Sequence, residues 1–222
     1  MSFEPPHAIQ CLKEQGRTSV WLISLPNGTK QVLKQWPMTP WFVIKLLLGV
    51  TQPQRQCRGT RRLIKAGVLT SDLPRMAFVR DGFRLQITLS MNYIQGTPCL
   101  DLLQENAIDD SKARHLGRAL GNAVQRISDA GLFNRDIKLS NIVISQGQQP
   151  DVFIIDPVGI RRSHNKEVER DRMIERIGCE LVGTSIRVPK SGWMTLIRSA
   201  LRSESPAFRR SVLARLRIRR ES

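Results

Sequence analysis

The sequence predicts an α+β fold in two lobes, β-rich at the N-terminal end and short and mostly helical at the C-terminal end. Three observations carry this reading. Two β-like runs, 18–24 (TSVWLIS) and 30–35 (KQVLKQ), flank Pro26-Asn27-Gly28. Asn-Gly between such runs is a strong hairpin signal, because both residues tolerate positive φ. From 111 to 130, Ala113, Leu116, Leu120, Val124 and Ile127 recur at three- and four-residue steps, the period of an amphipathic helix. A second hairpin follows that helix, with β runs at 142–144 and 152–155 joined by the polar turn 145–151.

Residues 1–15 are polar with Pro5-Pro6 and read as a loose lead-in to the first hairpin. After Trp36-Pro37, the segment 38–49 places Trp41, Ile44, Lys45 and Leu48 at helical spacing, with Phe42 and Leu47 beside them. Such a helix can lie on a membrane surface, but core or lobe surface is the favoured reading. A helix over 54–66 follows and stops at Gly67, as a glycine just past a last turn should. The runs 76–79 and 84–93 form a further hairpin across Asp81-Gly82. Residues 99–105 begin the C-terminal lobe, and Gly131 ends the long helix. A charged stretch to Arg172 then opens a helix that runs to Leu181.

Composition narrows the setting. The 222 residues are 41% hydrophobic, enough for one compact two-lobed domain or two small ones. Cys11, Cys57, Cys99 and Cys179 are scattered without C-x-x-C spacing, which suits reduced cytosolic thiols rather than a disulfide framework or a zinc site. No charged start followed by an apolar run marks a secretory signal. The most apolar window, 41–50, contains Lys45 and is too short to span a bilayer. Lys+Arg number 35 against 19 Asp+Glu, a formal +16. That excess attracts polyanions without choosing among them, and it also suits a basic protein whose charge serves only solubility. Half of it lies in 187–222, with ten Lys+Arg and two Glu. There Phe208, Val212, Leu213 and Leu216 make one apolar face among arginines. A basic amphipathic helix of this kind reads as a membrane-surface or anionic-glycolipid element. A nucleic-acid arm competes, but no aromatic cluster interleaves the arginines for base stacking.

The chemistry concentrates in Asn134-Arg135-Asp136-Ile137-Lys138-Leu139-Ser140-Asn141, with Asp156-Pro157-Val158-Gly159 fifteen residues beyond Asn141. The second hairpin carries Asn141 at one end and Asp156 at the other, side by side. An amide and a carboxylate there are hard oxygen donors suited to Mg²⁺, which takes few protein ligands and leaves its other positions to water and phosphate. Asp136 lies five residues before Asn141, where a base can meet an acceptor hydroxyl. Lys138 adds a positive charge between them.

This pattern resembles the catalytic and metal-binding loops of the protein-kinase-like superfamily. Asn134 stands where that family has His, and Pro157-Val158 replace Phe with one residue added. The resemblance implies an N-terminal lobe over about 16–91, a hinge at about 92–97, a C-terminal lobe over about 98–182 and a basic extension over about 187–222. It implies ATP and Mg²⁺, with Lys34 gripping phosphates, Gly16 to Ser19 lying over them, and Tyr93 in the hinge that meets adenine. Asp136 and Lys138 are the implied catalytic residues, Asn141 and Asp156 the metal ligands. Asp171 either braces the catalytic loop's backbone or is an exposed surface acid.

One departure matters. Kinases pair the strand lysine with a helix Glu, yet no Asp or Glu occurs between Lys34 and Asp72. Either Gln54 or Gln56 orients Lys34, or another carboxylate does, or ATP handling is impaired. The absence of Ala-Pro-Glu and of a long activation segment argues against an ordinary protein kinase. With the short C-terminal lobe and basic C-terminus, the chain looks most like the lipopolysaccharide core kinases, which phosphorylate a Kdo or heptose sugar at the cytoplasmic membrane face. That implies an anionic glycolipid or sugar acceptor, and a cytoplasmic protein able to sit peripherally on the membrane. An atypical Ser/Thr protein kinase and a catalytically impaired binding module are the alternatives.

Overall fold

The computed structural model describes residues 4–15, 18–81, 84–147, 150–210 and 212. Its contacts divide the chain into two compact units, Met1–Arg61 with Ser71–Ile94, and Arg62–Thr70 with Gln95–Ser222.

The first unit is built on a five-stranded antiparallel sheet. Its strands are β1 (Ala8–Gln15), β2 (Thr18–Ser24), β3 (Lys30–Pro37), β4 (Arg75–Asp81) and β5 (Arg84–Asn92), ordered β1-β2-β3-β5-β4. The expected loose lead-in is therefore corrected from residue 8 onward, where it is an edge strand paired to β2. Its side chains are almost all exposed, so backbone pairing rather than burial makes it a strand. The turn at Asn27-Gly28 forms as expected, with Gly28 at φ 79°. Gly82 of the other expected turn lies outside the described residues, although Asp81 still pairs with Arg84.

Two helices follow β3, namely α1 (Pro40–Leu47) and α2 (Gln52–Lys65). Thr39 caps α1 by accepting the Phe42 N–H at 3.1 Å, and Pro40 fills its first position, where a missing N–H costs nothing. Gln54 reaches back to the start of α2, its Oε1 accepting the Thr51 N–H and hydroxyl, the N3-to-N-cap half of a capping box. A small core of Trp36, Ile87, Leu89 and Met91 takes Phe42, Leu46 and Cys57 against it. Of the core or lobe-surface reading of α1, the structure takes lobe surface, because none of its residues is buried. Only Phe42 and Leu46 face inward, while Trp41, Ile44, Leu47 and Leu48 face solvent.

The second unit contains β6 (Gly96–Pro98), α3 (Cys99–Gln104), α4 (Asp110–Asp129), β7 (Leu132–Asn134), β8 (Ile142–Ser145), β9 (Val152–Ile154), β10 (Ile160–Arg162), α5 (Lys166–Gly178) and α6 (Lys190–Ala200). Its strands make a β6-β8-β9 sheet and a β7-β10 pair. Asp109 caps α4 through the Lys112 N–H at 2.7 Å, and Gly131 leaves the helix at φ 66°, a backbone shape that favours glycine. The side chains placed at helical spacing in α4 are all buried. An apolar cavity of about 50 Å³ lies among Leu103, Leu116, Leu139, Ile142, Trp193 and Leu196.

The expected basic extension from 187 also needs correction. It begins with α6, whose Leu196, Ile197 and Ala200 are buried in the same core as α4. Backbones approach closely there: a Cβ on Gly117 would lie 2.2 Å from the Gly192 carbonyl oxygen, and one on Gly121 2.4 Å from that of Leu196. Val212 is buried and Phe208 packs against this core. That part of the apolar face meant for a membrane is therefore spent on the protein's own interior. Leu213 and Leu216 lie outside the described residues. Buried Arg170 bonds the Ser128 hydroxyl at 3.0 Å and pairs with Asp129 and Glu204, which ties α5 to the chain on both sides of it.

Candidate functional site

In the second unit, β7 delivers the chain into the loop that carries Asp136. Asn134 is buried, and its Oδ1 accepts the Asp136 N–H at 3.0 Å, an Asx turn. The residue standing in place of His thus bends the backbone that presents the carboxylate. A further brace comes from α5, where Met173 Sδ accepts the Asn134 N–H at 3.4 Å. Asp171, on the same helix, is half-buried.

Pairing of β7 with β10, Asn134 opposite Ile160, brings the Asp156-to-Gly159 turn against this loop. The Arg135 N–H donates to the Gly159 carbonyl at 3.2 Å. A Cβ on Gly159 would sit 2.5 Å from Asp136 Oδ2 and 2.6 Å from its Cγ. The spacing Asp-x-x-Gly therefore has a steric cause: the Asp136 carboxylate occupies the space a side chain would need. Asp136 remains about one-third exposed, with Arg135 Nε 3.3 Å from its Oδ1.

The β8–β9 hairpin aligns Ile142 with Ile154, and the Ile155 N–H donates to the Asn141 carbonyl at 2.9 Å. Asp156 is thus one residue past the position opposite Asn141. The Asn141 amide nitrogen donates to the Asp136 carbonyl at 2.9 Å, which assigns the other amide atom as the acceptor. Asp156 has φ 53° and ψ 54°, a left-handed conformation rare for a residue with a side chain and common where function constrains the backbone. These two side chains offer hard oxygens and fit Mg²⁺, which is commonly held by one or two carboxylates. Among the described residues no group of three or more His, Cys, Asp or Glu could hold a metal, so nothing there offers a thiolate or imidazole cage instead.

Lys138 is held by a residue that sequence reasoning missed. Its Nζ lies 3.1 Å from Glu180 Oε1. Glu180 also accepts the Ser140 N–H at 2.8 Å and the Ser140 hydroxyl at 2.7 Å. Burial alone would raise the Glu180 pKa, but the bonds from Ser140 and Lys138 outweigh it, and the net shift is downward. Glu180 lies forty residues from Ser140 with no spacing signal. Its place just after α5, beside the expected helix end at Leu181, was the only hint.

In the first unit, Lys34 sits mid-strand opposite Leu89. Its Nζ donates to Gln56 Oε1 at 3.1 Å, and Gln56, 1% exposed, turns its amide nitrogen to Met91 Sδ at 3.5 Å. Of the two glutamines considered, Gln56 is the partner of Lys34, while Gln54 bonds the Leu46 carbonyl at 2.9 Å. Tyr93 is half-buried, and its N–H is committed to the Lys30 carbonyl at 3.0 Å. The Asn92 N–H is likewise committed to Asp72 at 2.8 Å. These two residues therefore leave carbonyls and side chains, rather than backbone N–H groups, open to a ligand. Gly16 and Arg17, expected over the phosphates, lie outside the described residues. Ser19 is corrected, because its buried hydroxyl donates to Gln35 at 3.0 Å.

No family model matches the chain, and no curated protein matches it. Among solved structures it is similar to WaaP in complex with an acyl carrier protein. That likeness has a TM-score of 0.66 at 15% identity and covers 96% of this chain and 87% of the other. At this identity the shared property is the fold, and the fold is kinase-like.

Proposed function

We propose that this protein is an ATP-dependent phosphotransferase that moves the γ-phosphoryl group to a hydroxyl, and that the hydroxyl belongs to a lipopolysaccharide core sugar. One observation carries the reading. The Asp136 carboxylate rests on Gly159 while its carbonyl is held by Asn141, which supports reading Asp136 as a base beside Asn141 and the turn that begins at Asp156. The likeness of 131–159 to the core kinases and the fold of WaaP support the choice of acceptor class.

In this mechanism Asp136 orients the acceptor hydroxyl and takes its proton. The acceptor oxygen bonds the γ-phosphorus as the bond to the ADP oxygen breaks. Lys138, steadied by Glu180, offsets charge on the transferring group, and Lys34, steadied by Gln56, offsets charge on the α- and β-phosphates. Asn141 and Asp156 are the residues to hold Mg²⁺, which when bound neutralises the β- and γ-phosphates. Tyr93 contributes to the adenine site. No helix among the described residues is long and apolar enough to cross a membrane. We place the protein in the cytoplasm, peripheral on the inner membrane face where such an acceptor is found.

A second reading, a kinase-like module that binds without transferring, is favoured by one feature: the helix α2 residue that Lys34 bonds is a neutral amide rather than a glutamate. The deciding experiment offers γ-labelled ATP and Mg²⁺ to a membrane glycolipid extract and, separately, to a generic basic protein, with Asp136→Asn alongside. Label in the lipid fraction that the variant loses is the expected result. Label on protein alone would make this an atypical protein kinase, and no label anywhere would leave the binding module.

A further inference from the structure

The exposed side of α1 is inverted relative to an ordinary surface helix. At about 100° per residue, Leu47, Ile44, Leu48 and Trp41 fall within one arc of about 120°, opposite Phe42 and Leu46. The inward pair packs on the small core of the first unit. The outward four are 82%, 47%, 69% and 63% exposed, and Val50 just beyond is 50% exposed. Single exposed apolar residues need no explanation, but a contiguous apolar face does.

This helix is also firmly held. Thr39 caps its start, the Gln54 amide nitrogen donates to the Leu46 carbonyl at 2.9 Å, and the Arg58 guanidinium donates to the Gly49 carbonyl. Little conformational freedom is left to be lost when the face is covered. The charged residues of this stretch of chain are all of one sign. Lys45 lies 5.3 Å from the centre of the Trp41 ring, Arg58 and Arg61 are exposed one turn apart on α2, and no Asp or Glu occurs from 35 to 71.

We propose that this face docks the protein on an anionic lipid bilayer. The helix lies flat in the interface, with Ile44, Leu47 and Leu48 toward the acyl chains and Trp41 at headgroup level. Lys45, Arg58 and Arg61 meet the lipid phosphates. Charge selects this occupant. A second copy packed on the same face would set like cations against each other, whereas an anionic surface neutralises them. The inference is independent of phosphotransfer, and its test reads binding rather than turnover.

The test floats the full-length chain with vesicles of phosphatidylethanolamine, with and without phosphatidylglycerol, and records the Trp41 emission through the difference from Trp41→Phe. Expected are partition that requires phosphatidylglycerol, weakening with salt, and a blue shift assigned to Trp41. The exposed double variant Leu47→Glu/Leu48→Glu should lose at least about tenfold in partition while melting like the unaltered protein. A point variant of Lys45→Glu, which leaves the apolar arc intact, should weaken binding to the anionic vesicles alone. Equal partition into neutral vesicles, equal partition of the double variant, or no partition at all would overturn the proposal. So would a dimer in sedimentation that the same double variant dissolves.

Discussion

Replacing Glu180 with alanine removes one acceptor group from beneath the 134–141 loop, and the effect has a size that can be worked out. The side chain is 19% exposed and takes three bonds, from Lys138 Nζ, the Ser140 N–H and the Ser140 hydroxyl. Lys138 is 43% exposed, so that pair contributes about 0–1 kcal/mol. Each bond from Ser140 to the carboxylate contributes about 1.5 kcal/mol. Water reaching the vacated space recovers some of this, which leaves a loss of about 2–4 kcal/mol. For a chain of this size that lowers Tm by about 4–16 °C, at about 2–4 °C per kcal/mol. Glu180→Gln keeps an acceptor but loses the charge and should cost about half as much. The pH dependence supplies a second readout. Because the folded carboxyl titrates below the ordinary value of 4.5, its contribution is complete above that value. It disappears as pH falls through the lower folded pKa. Thermal melts of the two proteins should therefore differ at neutral pH and converge in acid. A Glu180→Ala protein that melts within about 1 °C of the parent at neutral pH, or a gap that persists unchanged in acid, would refute the reasoning.

Other substitutions probe the rest of the site. Gly159→Ala forces a Cβ into the Asp136 carboxylate and should cost about 1–3 kcal/mol in stability, with transfer from γ-labelled ATP falling more steeply than stability does. Gln56→Leu removes one acceptor from Lys34 and should weaken ATP binding by about tenfold in calorimetry, with Gln56→Glu restoring it. Gly117→Leu has no room against the Gly192 carbonyl and should destabilise by at least about 2 kcal/mol in urea melts. Burial pushes the Cys99 thiol up to about 12, so in the folded protein a thiol reagent should label exposed Cys11 and Cys179 first and Cys99 only on unfolding.

Much of the fold was legible because it rests on local chemistry. Asn27-Gly28 sets a turn, the three- and four-residue steps of α4 set its inward face, and Gly67 and Gly131 end their helices with positive φ. The loop residues were legible for the same reason. The spacing from Asp136 to Asn141 lets one side chain reach the other's carbonyl, and Asp-x-x-Gly lets a glycine back onto a carboxylate.

Periodicity says which residues share a face, not whether a neighbour covers it. The apolar stripe of α1 suits core, lobe surface or a membrane face by its period alone and is mostly exposed, while Val212 of the C-terminal stripe, which reads as a membrane-surface or anionic-glycolipid element, is buried in the protein. Strand β1 has no apolar alternation to betray it, since the hydrogen bonds of β2 rather than any buried side hold it in place. Local sequence alone determined the turns, the long helix and the spacing from Asp136 to Asn141, because those depend on residues within a few positions of one another. Only the tertiary structure decided which glutamine meets Lys34, that Glu180 grips Ser140 and Lys138, and which apolar faces stay wet, because each depends on what distant chain segments bring alongside.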